Sequence, residues 1–190
     1  MTNAIYNTNY NLHKPILPTN DKTYKYATTT WLRDLIKSQN ISDPVYSSIA
    51  FNCYMPDERL VARLNILFKY AYKDYYNYHK NWFYKYYNSF PKCVGVIESG
   101  ANNQNTHIHF VFDMNDKLKT CFSNSLIELR KNKFYCSDFL KTTLDFGYAD
   151  NNPNNFTMWT NYMTKSTTLD SSFRVLLLDD ILKPRNHKLH

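Results

Sequence analysis

Apolar residues recur along this chain at two spacings, and the switches between them mark its elements. Residues 1–26 are polar, carry Pro15 and Pro18, and read as an arm. From Thr28, TTTWLRDLIKSQN sets Trp31, Leu32, Leu35 and Ile36 at helical steps behind threonine caps. Pro44 ends that unit, and VYSSIAFNCYM reads as a strand. After Pro56 and a capping Asp57, Leu60, Leu64, Leu67, Phe68, Ala71 and Tyr75 recur every three or four residues, predicting a long helix that Phe90 and Pro91 close. VGVIES and THIHFVFDM predict two strands joined by the polar loop GANNQN. DKLKTCFSNSLIELRKN predicts a helix burying Leu118, Cys121, Phe122, Leu126 and Leu129. TLDFGYA reads as a short strand, NNFTMWTNYMTKS as a helix and SFRVLLLDD as a final strand.

A hairpin flanked by helices and outer strands predicts an α+β fold, a central antiparallel sheet with helices packed on one face. The other face is then expected to be open. There is no internal repeat and no long linker, and 190 residues suit one domain.

The hairpin carries the chemistry. Residues two apart in a strand share a face, so His107 and His109 point one way while Ile108, Phe110 and Phe112 point the other, toward the helices. If Glu98 sits opposite His107 across the hairpin, Val96 falls opposite His109 and all four share one face. A register slip of two residues keeps that arrangement, and a slip of one destroys it. Two imidazoles and a carboxylate form a three-ligand set with open positions, suited to Mn²⁺ or Mg²⁺ that also holds a phosphate oxygen. The same donors at another spacing could take Zn²⁺.

Charge points to the same kind of partner. The 23 Lys and Arg against 16 Asp and Glu leave a formal +7, which favours an anionic partner, nucleic acid or a membrane surface. The cysteines at 53, 93, 121 and 136 form no CxxC pair, so reduced, partly buried thiols and a cytoplasmic setting are expected. MTNAIYNTNYNLHKP lacks the apolar run of a signal peptide, and no stretch approaches the ~20 apolar residues that span a bilayer. No membrane partner is expected.

THIHFVF resembles the His-hydrophobe-His motif of the HUH endonucleases, the superfamily of rolling-circle replication initiators, conjugative relaxases and some transposases. The resemblance covers roughly residues 45 to 180 and implies a ferredoxin-like or RRM-like HUH nuclease fold. On that basis residues 1–44 would be an N-terminal arm and short helix, 45–182 the endonuclease domain, and 183–190 (KPRNHKLH) a basic tail. It also implies a nucleophilic tyrosine on a downstream helix, in replication initiators within Tyr-x-x-Lys. NYMTKS supplies Tyr162 and Lys165, three apart and on one helical face. Carried over residue by residue, His107, His109 and Glu98 would hold the divalent ion. Tyr162 would attack the scissile phosphate, leaving a 5′-phosphotyrosine and a free 3′-hydroxyl. Lys165 would offset phosphate charge or help the phenol lose its proton. Met158 and Ser166 flank Tyr162 at four residues, so the pattern is that of a single-tyrosine enzyme. Tyr148 and Tyr135 are weaker candidates, since neither has a lysine three residues on.

KYAYKDYYNYHKNWFYKYYNSF interleaves Lys69, Lys73, Lys80 and Lys85 with aromatic rings. Bases stack on such rings and phosphates pair with lysines, so its outer residues are candidate contacts to single-stranded DNA. The alternative is that half of the rings continue the buried helical stripe. Histidine-triad hydrolases would need a histidine where Val111 stands, and two-histidine phosphoesterases need a second His-x-Thr or His-x-Ser, which none of His13, His79 and His187 supplies. An RNA-recognition-type binder would expose strand aromatics, whereas here the phenylalanines point away from the histidine face. The implied function is metal-dependent nicking and joining of single-stranded DNA at a plasmid or viral replication origin. A single-tyrosine transposase or a non-catalytic single-strand binder is the alternative. There is no GxxxxGK, so any helicase would come from a partner.

Overall fold

The computed structural model describes residues 21–42, 44–99, 105–149, 153–165 and 174–182. The loop 100–104, the first twenty residues and the tail 183–190 lie outside them. In chain order the elements are α1 (Asp21–Ser38), β1 (Pro44–Phe51), α2 (Asp57–Tyr75), α3 (Trp82–Tyr86), β2 (Cys93–Ser99), β3 (Thr106–Asp113), α4 (Asp116–Lys131), α5 (Cys136–Phe139), β4 (Thr143–Ala149), α6 (Pro153–Met163), β5 (Arg174–Leu177) and α7 (Leu178–Ile181).

The strands form one antiparallel sheet in the order β4-β1-β3-β2-β5. From β1 to β4 this is a βαββαβ unit in ferredoxin-like order, with β5 added beside β2. The α+β expectation holds. On one face, Val45, Ile49 and Phe51 of β1 and Ile108, Phe110 and Phe112 of β3 pack against Leu60, Leu64, Leu67 and Phe68 of α2 and Leu118, Phe122, Leu126 and Leu129 of α4. Gly95 lets the strands close over this core: a Cβ there would stand 2.4 Å from the Phe110 ring, already wedged against Phe68 and Phe112.

The second face is not open, contrary to the expectation from the order of elements. Leu32 and Ile36 of α1 and Met163 of α6 are buried there against Tyr46, Val94, Val96, Val111 and Val175, with Phe156 and Trp159 packed alongside. Part of this face is apolar: Tyr46 of β1, Val94 and Val96 of β2, Val111 of β3 and Val175 of β5 alternate onto it, and two further helices remove that surface from water. Residues 21–38 therefore share a core with the sheet, across the boundary drawn at residue 44. α1 also begins seven residues before the predicted Thr28.

The long helix expected from Asp57 to Phe90 stops at Tyr75. Asn77, Tyr78 and Asn81 adopt left-handed backbone, with φ of 54°, 53° and 60°, which no continuous α-helix accommodates. The rings that follow fold back on the end of α2: Tyr76 stacks on Tyr86 at 4.3 Å, and Phe90 gathers Tyr72, Trp82, Phe83 and Tyr87. The last strand also ends early, at Leu177, whose N–H is captured by Asp180 to start α7. Among the described residues no helix is long and apolar enough to cross a membrane.

Candidate active site

β2 and β3 pair in the register that unites the hairpin's polar residues, Glu98 opposite His107 and Val96 opposite His109. The same face of β1 brings Ala50 opposite His107 and Ser48 opposite His109. The α1–α6 layer covers the Val94 and Val111 part of this face, and Glu98, His107 and His109 lie at its margin.

His109 is the most enclosed member, only 3% exposed. Both of its nitrogens are engaged: Nδ1 lies 2.9 Å from the Ser48 hydroxyl, and Nε2 lies 2.9 Å from Glu98 Oε2. The carboxylate thus reaches diagonally to His109 rather than straight across to His107. Burial lowers the His109 pKa, the Glu98 bond and charge oppose it, and the nearby Lys165 and His107 charges add to the lowering. The net result is a ring held neutral at pH 7.

α6 closes the site from above. The Tyr162 ring meets the His109 ring edge-to-face, centroids 4.9 Å apart. Trp159, one turn earlier, stacks on Tyr162 at 5.4 Å, touches His109 at 5.9 Å and rests on Tyr46 at 5.3 Å. Tyr162 is itself 42% exposed, so a ligand in solvent can reach it. Lys165 follows α6, its Nζ 3.8 Å from the Tyr162 ring centroid and 3.4 Å from Glu98 Oε2. Partial burial pulls its pKa down, but the hydrogen bond with Tyr162 and the Glu98 charge outweigh this and raise it. The amine is therefore a fixed cation.

Five predicted residues, Glu98, His107, His109, Tyr162 and Lys165, lie on this one side of the sheet. Four of them form a continuous set of contacts. His107 is half-buried beside His109. Lys69, Lys73, Lys80 and Lys85 are not gathered here. They belong to α2 and the aromatic turn after it, across the sheet, where Lys73 lies over the Tyr78 ring and Lys85 over Tyr86. Tyr135 also packs on that far side, under Arg63, while the side chain of Tyr148 falls outside the described residues.

Among the described residues no group of three or more His, Cys, Asp or Glu side chains is arranged to hold a metal ion. The donor chemistry nonetheless fits one. His109 is held neutral, as a ligand must be. Its Nε2 and Glu98 Oε2 are 2.9 Å apart, close to the ~3 Å between neighbouring ligands on a small octahedral cation. His107 has the same parity one step along the strand.

Sequence reasoning missed Ser48 and Trp159. SIAF carries nothing diagnostic, and only the β1–β3 register sets that serine against His109. Trp159 had a readable signal, its position three residues before Tyr162 on the same expected helix. Comparison with protein-family models, curated proteins and solved structures gives no match, so function must be argued from these residues.

Proposed function

We propose that this protein nicks and rejoins single-stranded DNA through a tyrosyl-phosphate intermediate, as an HUH-type replication initiator, with a divalent ion as cofactor. One observation carries the reading. Tyr162 and Lys165, singled out on a helix, stand against His109 and Glu98, singled out on a hairpin more than fifty residues earlier.

His109 and Glu98, with His107 beside them, are the residues that would hold Mn²⁺ or Mg²⁺, and Ser48 would orient His109 from behind. Such an ion, when bound, supplies charge to polarise the scissile phosphate. The hydroxyl of the partly exposed Tyr162 attacks phosphorus, its proton passing to solvent. An O–P bond to tyrosine forms, the bond from phosphorus to the 3′-oxygen breaks, and that oxygen leaves and takes up a proton. A returning 3′-hydroxyl reverses the exchange, so joining needs no nucleotide cofactor. Of the two roles open to Lys165, a fixed cation favours offsetting phosphate charge over accepting the phenolic proton.

The test is to incubate the protein with Mn²⁺ and a random pool of single-stranded oligonucleotides and resolve the products on a denaturing gel. A metal-dependent covalent adduct that disappears in Tyr162→Phe and falls at least about a hundred-fold in His109→Ala is expected. Sequencing the captured strand then identifies the target site. An adduct that persists in Tyr162→Phe would move the nucleophile elsewhere. Binding without metal dependence or adduct would leave a non-catalytic binder.

A further inference from the structure

If the lysines of the aromatic stretch lie across the sheet, a strand reaching Tyr162 needs another surface. α1 and α6 lie side by side, and polar contacts join α1 to residues 160–165 at the C-terminal end of α6. Lys25 Nζ donates to the Lys165 carbonyl at 3.2 Å, and the Thr29 and Thr164 hydroxyls meet at 2.8 Å. Arg33 donates from Nε to Thr160 and from Nη2 to Asn161, both at 3.0 Å. Lys25, Thr29 and Arg33 are spaced four residues apart, so one face of α1 follows α6 on both sides of Tyr162.

The two segments that form this seam are basic in composition. Residues 21–38 and 153–165 hold five Lys or Arg against two Asp, and α6 itself has no acidic residue. The seam also shows apolar groups where a soluble helix normally shows polar ones. Tyr26, next to Lys25, is 73% exposed, and Met158, one turn before Tyr162, is 68% exposed. Tyr26 makes no ring–ring contact that would account for it among the described residues. Cations beside exposed flat or polarisable groups match a chain that offers phosphates and unpaired bases together. A duplex offers the phosphates but keeps its bases stacked inside.

The geometry points to the α1–α6 seam as the surface that carries single-stranded DNA to Tyr162, with Lys25 and Arg33 along the phosphates and Tyr26 and Met158 against the bases. The choice of partner rests on the nicking reading, but the surface can be tested without it. Fluorescence anisotropy with labelled oligothymidine, in EDTA so that no adduct can form, reads strand binding alone. Lys25→Glu and Tyr26→Ala are each expected to weaken binding about five-fold or more. Lys25→Ala should reduce the slope of log affinity against log salt by about 0.7. Since Lys25 also contacts α6, Tyr26→Ala is the cleaner arm, and wild-type affinity in that variant overturns the proposal. So does a greater loss from Lys73→Glu with Lys85→Glu than from Lys25→Glu, or tighter binding to a duplex of equal length. The two readings fail separately. Seam-dependent binding with no adduct in Mn²⁺ sinks nicking and leaves the surface. An adduct with wild-type strand affinity in Tyr26→Ala does the reverse.

Discussion

Glu98 is acceptor-only when ionised, so with His109 neutral the proton between them sits on Nε2, and Nδ1 accepts from the Ser48 hydroxyl. A cation at Nε2 would displace that proton and require Nδ1 to donate instead. A hydroxyl can serve either arrangement, as a methyl group cannot. Ser48→Ala is therefore expected to weaken Mn²⁺ binding about ten-fold or more, measured by calorimetric titration, while Ser48→Thr keeps most of the affinity. The His109 ring also predicts a pH response. Its folded pKa is lowered, chiefly by burial, so protons bind the unfolded chain more readily. The stability linked to this ring is present above the unfolded value of about 6.5 and is lost as pH falls below it toward the lower folded value. Urea midpoints at pH 7.5 and 5.5 should differ more for the wild type than for His109→Gln.

α6 owes its position to an element that pattern reading had set apart from the sheet. The Thr29–Thr164 hydroxyl pair is buried at the α1–α6 contact, and Thr164 also back-bonds to the Thr160 carbonyl. Thr29→Val keeps the shape and deletes both the hydroxyl contact with Thr164 and the Thr29 hydroxyl's bond to the Lys25 carbonyl, at an expected cost of about 1–2 kcal/mol. If α1 holds Tyr162 over His109, the adduct yield of this variant should fall while its Mn²⁺ affinity stays at the wild-type value. Equal loss of both would mean that the whole face had loosened. The elements were readable where one face alone was apolar, as in α2 and α4, whose buried leucines follow the predicted stripe. Reading failed at the break after Tyr75, because propensity in an aromatic run does not say where the rings will turn back on one another. It failed again at the start of α1, where tyrosines and threonines hide the helix.

At the scale of the whole molecule the sheet is a partition between two cores, with the site at the margin of the smaller one. Its integrity can be followed through the cysteines, all four of which are free. Burial raises the Cys93 thiol well above its ordinary value, and burial, then the bond and charge of Asp74, push Cys121 to about 11. Both should resist iodoacetamide at pH 8 in the folded protein and react together through the urea transition. Labelling of the half-buried Cys53 and Cys136 ahead of it would report local opening. By itself the sequence determined the main helices and strands, the common face of His107 and His109, and the helical position of Tyr162 three residues before Lys165. All of these follow from periods of two and 3.6 residues, which are local. Only the tertiary structure decided that Glu98 binds His109 rather than His107, that Ser48 stands behind that ring, and that α1 and α6 cover the second face. Those outcomes depend on which strands become neighbours and which helices share a core, and no local spacing records that.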